Sequence, residues 1–274
     1  MNFKPEKRTV QLHEGRCVYF SSDFHLGVPS MTKSRERERL IISWLESIEH
    51  NAQMIFLVGD IFDFWFEYNK AVPKGFVRLL GKLAELSDKG IKLVIFTGNH
   101  DMWMSGYLTD EIGATIFRNP VTYTFISGKS TKSILVGHGD GLGPGDNTYK
   151  VLKRIFENSF FQLMFRLMHP DVGIWIAMEW SKRSRRANDH KGEEHFLGED
   201  HEWLFQYCLA VEKTNHHDYY IFGHRHLPLD MKVNDSSRYI NLGEWLKQQH
   251  FAIFNGENLT LEKFDPSSVA ITKN

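Results

Sequence analysis

Cys17-Val18-Tyr19-Phe20-Ser21-Ser22 runs directly into Asp23-Phe24-His25, and the reading of that junction decides the fold. A short run of β-branched and aromatic residues predicts a buried strand, and the polar Asp-x-His at its end falls where a loop leaves the sheet. The same junction recurs along the chain. Met54 to Val58 is followed by Gly59-Asp60, Lys92 to Thr97 by Gly98-Asn99-His100-Asp101, and Ser133 to Val136 by Gly137-His138-Gly139-Asp140. Tyr219 to Phe222 is followed by Gly223-His224-Arg225-His226. Helical patterns from about Ser34 to His50 and from about Lys74 to Asp88 separate the first three runs, and strand-helix-strand repetition predicts a mostly parallel sheet. The later strand-like pieces, 121–126, 133–136, 219–222, 238–243, 251–255 and 259–264, predict a second sheet packed on the first, so the fold class is α/β with two stacked sheets.

Between those halves the pattern changes. Val151 to Met168, crowded with Phe, Leu and Met, reads as one helix, His169-Pro170 breaks it, Val172 to Trp180 is again apolar, and Lys182 to Arg186 is basic. The division that follows is a sandwich of residues 1–145 and 196–274 with a helical cap inserted at 146–195. The apolar residues of the cap occupy more of its circumference than a one-sided surface helix needs, so a neighbouring helix, a second copy, an acyl chain or a membrane must cover the excess.

The whole chain has 274 residues, 42% hydrophobic content and a formal net charge of -1. That content supports a full core, and the balanced charge gives no global attraction for nucleic acid. The two cysteines, Cys17 and Cys208, lie in apolar runs and read as small buried hydrophobes of a reducing compartment. There is no apolar leader pattern at the N-terminus and no continuous apolar run of about 18 residues, which predicts a cytoplasmic protein or one peripheral to a membrane.

Carboxylates, one amide and several imidazoles at the ends of neighbouring strands suit borderline divalent ions such as Mn, Fe, Zn or Co. Two such ions sharing a carboxylate generate hydroxide at neutral pH and stabilise an in-line displacement at phosphorus. Asp60 is the natural bridge. The ordered set Asp-x-His, Gly-Asp, Gly-Asn-His-Asp, Gly-His-Gly-Asp and Gly-His-x-His resembles the calcineurin-like metallophosphoesterases across residues 16–245. The resemblance implies an α/β/β/α sandwich with one metal on Asp23, His25, Asp60 and His226 and a second on Asp60, Asn99, His138 and His224. It makes His100 the catalytic proton donor or phosphate stabiliser.

Within that superfamily the chain is similar to the UDP-2,3-diacylglucosamine hydrolases of lipid A biosynthesis. The narrower match rests on Gly59-Asp60-Ile61-Phe62-Asp63-Phe64-Trp65, on the stretch from His138 through Asp146 to Tyr149, and on Ser184, Asn188 and Lys191. The last three have the spacing that shares one helical face. It implies that Asn99, His100, Asp146, Ser184, Asn188, Lys191 and His224 contact a lipid-linked UDP-sugar, cleaved to UMP and 2,3-diacylglucosamine 1-phosphate. The cap could then rest on the inner face of a membrane. One departure stands out: those hydrolases usually carry Arg where this chain has His100, a form that favours a phosphodiesterase or phosphatase for another nucleotide or phosphoester as the alternative. Arg35 to Arg39, alternating in sign, reads as a solvated surface, and Trp65 and Phe66 read as packed aromatics or pocket lining.

Overall fold

The computed structural model describes residues 5–144, 147–191 and 195–267. Its elements, in order, are β1 (Glu6–Gln11), β2 (Cys17–Ser21), α1 (Met31–Ile48), β3 (Ala52–Val58), α2 (Val77–Asp88), β4 (Lys92–Phe96), α3 (Tyr107–Ile112) and β5 (Thr115–Phe117). There follow β6 (Val121–Ser127), β7 (Ser130–Val136), α4 (Asn147–Phe156), α5 (Ser159–Leu167), α6 (Pro170–Lys191) and α7 (Trp203–Glu212). The chain closes with β8 (Tyr219–Phe222), β9 (Pro228–Lys232), β10 (Arg238–Leu242), β11 (His250–Phe254) and β12 (Leu259–Lys263).

The strands form two six-stranded sheets, ordered β12-β11-β2-β3-β4-β5 and β1-β6-β7-β8-β10-β9. Both faces of the central strands are apolar because both are covered. Val18, Phe20, Phe56, Val58, Phe125, Val136 and Ile221 fill the space between the sheets. On the far side of the first sheet Tyr19, Ile55 and Leu57 pack under Trp44, Leu45, Leu79 and Leu83 of α1 and α2. On the far side of the second, Leu135, Tyr220 and Phe222 pack under α7. The layers are therefore α/β/β/α.

Three expectations need correction. Strands β11 and β12 join the first sheet, β11 running antiparallel to β2 with Ala252 opposite Phe20. Chain order does not fix sheet membership, and β11 can sit there because Phe251 faces one core while Ala252 and Phe254 face the other. The first helix begins at Met31, where Ser30 accepts from Lys33 N, and the second begins only at Val77, after Phe76 in a left-handed conformation. The apolar run expected as one cap helix is two, because the Asn158 side chain accepts from Phe160 N and starts a new helix at Ser159.

Candidate metal centre

All five strand-end motifs lie at one end of the sandwich. Loop joins loop there as the strands do below: Asp23 N donates to Gly59 O, His25 N to Asp60 O and Leu26 N to Ile61 O. Five of the candidate ligands hold φ values in the left-handed region: Asp23 at 56°, His25 at 44°, Asp60 at 52°, His224 at 68° and His226 at 54°. Such backbone costs roughly 1–2 kcal/mol per residue, and it persists at functional sites where surrounding bonds over-determine it. Glycines admit the side chains: a Cβ on Gly98 would strike the Asp60 carboxylate and one on Gly223 the Asp23 carboxylate.

Asp23, His25, Asp60 and His226 bring one donor atom each to within 4.8 Å of one another, and so do Asp60, His138 and His224. Asp60 belongs to both groups. Asn99 joins the second, its Oδ1 3.3 Å from His138 Nε2. His138 Nδ1 lies 2.8 Å from Val58 O and donates to it, which turns Nε2 toward Asp60 Oδ2 at 3.4 Å and Asn99 Oδ1. A neutral ring would face two oxygens with a lone pair there, an arrangement that asks for a cation. Asp23 Oδ1 is buried without a hydrogen-bond partner, 3.2 Å from His226 Nε2 and 3.6 Å from His25 Nε2. The donor set and this geometry fit divalent ions.

The charges say the same. Burial opposes ionisation of Asp60, yet His138 and His100 beside it hold its carboxyl well below the usual range. Asp23 is likewise depressed, burial being outweighed by the nearby His226 and His25 rings. Against the cost of burial, the carboxylates raise His25 and His138 to about 10. His224 is pushed down to about 4 by burial and by the charge on His138.

Several buried groups support these loops. Arg37 was expected on a solvated face. Instead it is buried, its Nε donating to Phe24 O and its Nη2 to His25 O and Val28 O, each at 2.6 Å. Asp101 accepts from Gly98 N, Ile61 N and Phe62 N, and burial with the nearby Asp60 pushes its carboxyl up to about 7. Arg225, between the two histidines of the last motif, pairs with buried Glu202 at 3.0 Å and lies over the Trp203 ring. Asp63 Oδ1 stands 3.5 Å from His25 Nδ1.

His100 sits at the rim, 12% exposed, its N donating to Asp60 Oδ1 at 2.9 Å. The helices between β7 and β8 reach these loops through Lys153 to Asp140 at 2.6 Å, Trp103 Nε1 to Phe156 O at 2.8 Å, and Ser181 to Asp63 at 2.9 Å. Trp65 is core, stacked on Phe62, whereas buried Phe66 packs on Phe165 of α5. Asp146 lies outside the described residues. Ser184, Asn188 and Lys191 fall on α6, with side chains outside them.

The family profile for calcineurin-like phosphoesterases matches residues 18–228. The chain belongs to the calcineurin-like phosphoesterase family. It is a metal-dependent hydrolase of that family, and its two-sheet sandwich is the family fold. Among similar proteins is the UDP-2,3-diacylglucosamine hydrolase of Porphyromonas gingivalis (strain ATCC BAA-308 / W83), 37% identical over 261 residues that cover 90% of this chain and 97% of that one. The protein of the same name from Haemophilus influenzae (strain ATCC 51907 / DSM 11121 / KW20 / Rd) is 25% identical, over 84% of this chain and 90% of that one. That of Proteus mirabilis (strain HI4320) is 26% identical, over 65% of this chain and 70% of that one.

Sequence reading of this phosphoesterase missed Arg37, Asp101 and Ser181. Arg37 shares a helix face with Ile41, Trp44 and Ile48, and that stripe was the available signal. Asp101 stood inside a quoted motif, but only tertiary structure reveals which amides it receives. Ser181 carried no signal.

Proposed function

We propose that this phosphoesterase hydrolyses the pyrophosphate of UDP-2,3-diacylglucosamine to UMP and 2,3-diacylglucosamine 1-phosphate. The observation that carries the reading is the extent of the match to the Porphyromonas gingivalis hydrolase, 37% over 90% of this chain, which reaches into the helices between β7 and β8 as well as the sandwich. We assign a first ion to Asp23, His25, Asp60 and His226 and a second to Asp60, Asn99, His138 and His224, with manganese the expected metal. When bound, such a pair supplies a water acidified toward neutral pH and a positive clamp on phosphoryl oxygens.

The chain's own residues do the rest. Asp60, which belongs to both donor groups, would hold both ions. Asp63 and Val58 O orient His25 and His138 from behind, as carboxylates and carbonyls do for metal-bound imidazoles. Asn99 and His224 border the phosphate position, and His100 donates to the phosphoryl or leaving oxygen. Asp146, Ser184, Asn188 and Lys191 grip the substrate outside the metals, in a cap at 146–195. Exposed apolar side chains on α5 and α6, with Leu167 74% and Trp175 67% exposed, suit contact with a membrane's cytoplasmic face. No helix among the described residues is long and apolar enough to cross one.

A manganese-supplemented assay comparing UDP-2,3-diacylglucosamine with UDP-glucose, bis-p-nitrophenyl phosphate and a phosphopeptide tests the reading. Strong preference for the diacyl substrate is expected. Faster turnover of the diester or phosphopeptide would favour the second reading, a phosphodiesterase or phosphatase, for which His100 in the place of Arg is the motivating feature.

A further inference from the structure

Ser181 belongs to α6, yet it is only 6% exposed and its hydroxyl reaches residues of two strand-end loops. Its Oγ donates to Asp63 Oδ2 at 2.9 Å and lies 3.0 Å from His100 Nδ1. The same Nδ1 lies 3.2 Å from the Asp63 carbonyl oxygen. A hydroxyl has one proton, and here the carboxylate takes it, so Oγ presents lone pairs to the ring. A carbonyl can only accept. Both oxygens therefore require Nδ1 to be the donor, which turns the ring's other nitrogen, Nε2, away from this pair.

The backbone of His100 is fixed separately, through its N to Asp60 Oδ1, and its ring meets His25 edge-on with centroids 4.9 Å apart. Ser181 and Asp63, one from the helix and one from the second strand-end loop, thus both hold the ring's rotation through Nδ1. We propose that Ser181 is a positioning residue: anchored on Asp63, its hydroxyl accepts from His100 Nδ1 and holds the ring in the orientation that turns Nε2 to the phosphoryl group, which makes seating of α6 a condition of full turnover. This rests on the hydrolytic reading of the site given above. It differs from a packing role because its effect passes entirely through His100.

The test is a double-mutant cycle in manganese-loaded protein with Ser181→Ala, His100→Ala and the pair, assayed on both UDP-2,3-diacylglucosamine and bis-p-nitrophenyl phosphate. Ser181→Ala should lower kcat about 10-fold at nearly constant KM, as expected for one lost orienting hydrogen bond, with unchanged metal content. In the His100→Ala background it should add nothing. Ser181→Thr, which keeps the hydroxyl, should stay within about 3-fold of wild type. A loss of equal size with and without His100, or an unchanged kcat for Ser181→Ala, overturns the proposal. So does a nitrogen-15 spectrum of the metal-free wild type that places the neutral-ring proton of His100 on Nε2. If wild type fails on the UDP-sugar but cleaves the diester, the substrate assignment falls while the cycle still reports the coupling.

Discussion

Asp60 lies in both donor clusters, so its removal should differ in kind from removal of a residue that lies in one. Asp60→Ala should cost more than one ion per chain, whereas His226→Ala should weaken chiefly the first site. Elemental analysis of purified protein reads both, and a fully active wild type with a single ion would sink the two-metal assignment. Arg37 makes a second case. Arg37→Met keeps the apolar stem but leaves the carbonyls of Phe24, His25 and Val28 without their donor. Unfolding in urea should show a loss of about 2–4 kcal/mol, and metal affinity should fall with it because the Asp23-Phe24-His25 loop is no longer clamped. Unchanged stability would mean that water replaces the guanidinium without cost. The strand-end candidates are legible in sequence because each follows an apolar run that reads as a buried strand. Arg37 was not, because alternating charge along a helix conceals that one member faces inward; only the Ile41, Trp44 and Ile48 stripe betrays it.

Among the elements, α4, α5 and α6 lie in a segment apart from the strand ends that carry the candidate ligands. Replacing residues 150–190 with a short linker should spare turnover of a small diester apart from the share due to Ser181, and abolish that of a diacyl substrate. Loss of both to the same degree in a folded product would mean that the helices complete the metal centre itself. Element boundaries were harder to read than element types. The break between α4 and α5 comes from one capping side chain, Asn158, inside a run whose apolar content never drops. The membership of β11 in the first sheet follows from pairing with β2, and pairing between distant strands leaves little trace in either strand's own sequence.

At the scale of the whole molecule the candidate metal centre predicts a pH dependence of stability. In metal-free protein the carboxylates hold His25 and His138 protonated up to about 10, against an ordinary value of 6.5. The folded state thus binds more protons than the unfolded chain between those values, so this stabilisation is complete below 6.5 and disappears as pH rises through about 10. Chelated protein should show a falling Tm from pH 7 to 10 while the loaded protein does not. Titration calorimetry in buffers of different ionisation enthalpy should also record protons released as metal enters at neutral pH. A flat Tm for chelated protein would mean that the site relaxes apart when empty.

The pairing of β11 with β2 has a consequence for the order in which the molecule is made. Neither half of the chain owns a whole sheet: β2 awaits β11 on one edge, as β7 awaits β8. The separation is long, Ser21 meeting His250 across 229 residues. Contacts so remote in sequence are slow to form, and on the ribosome they cannot form until nearly the full chain has emerged. His224 and His226 lie on the late side of both seams. A nascent chain carries Asp23, His25, Asp60, Asn99 and His138 long before the last two candidate donors exist, so both donor clusters are complete only when the final strands close the sandwich.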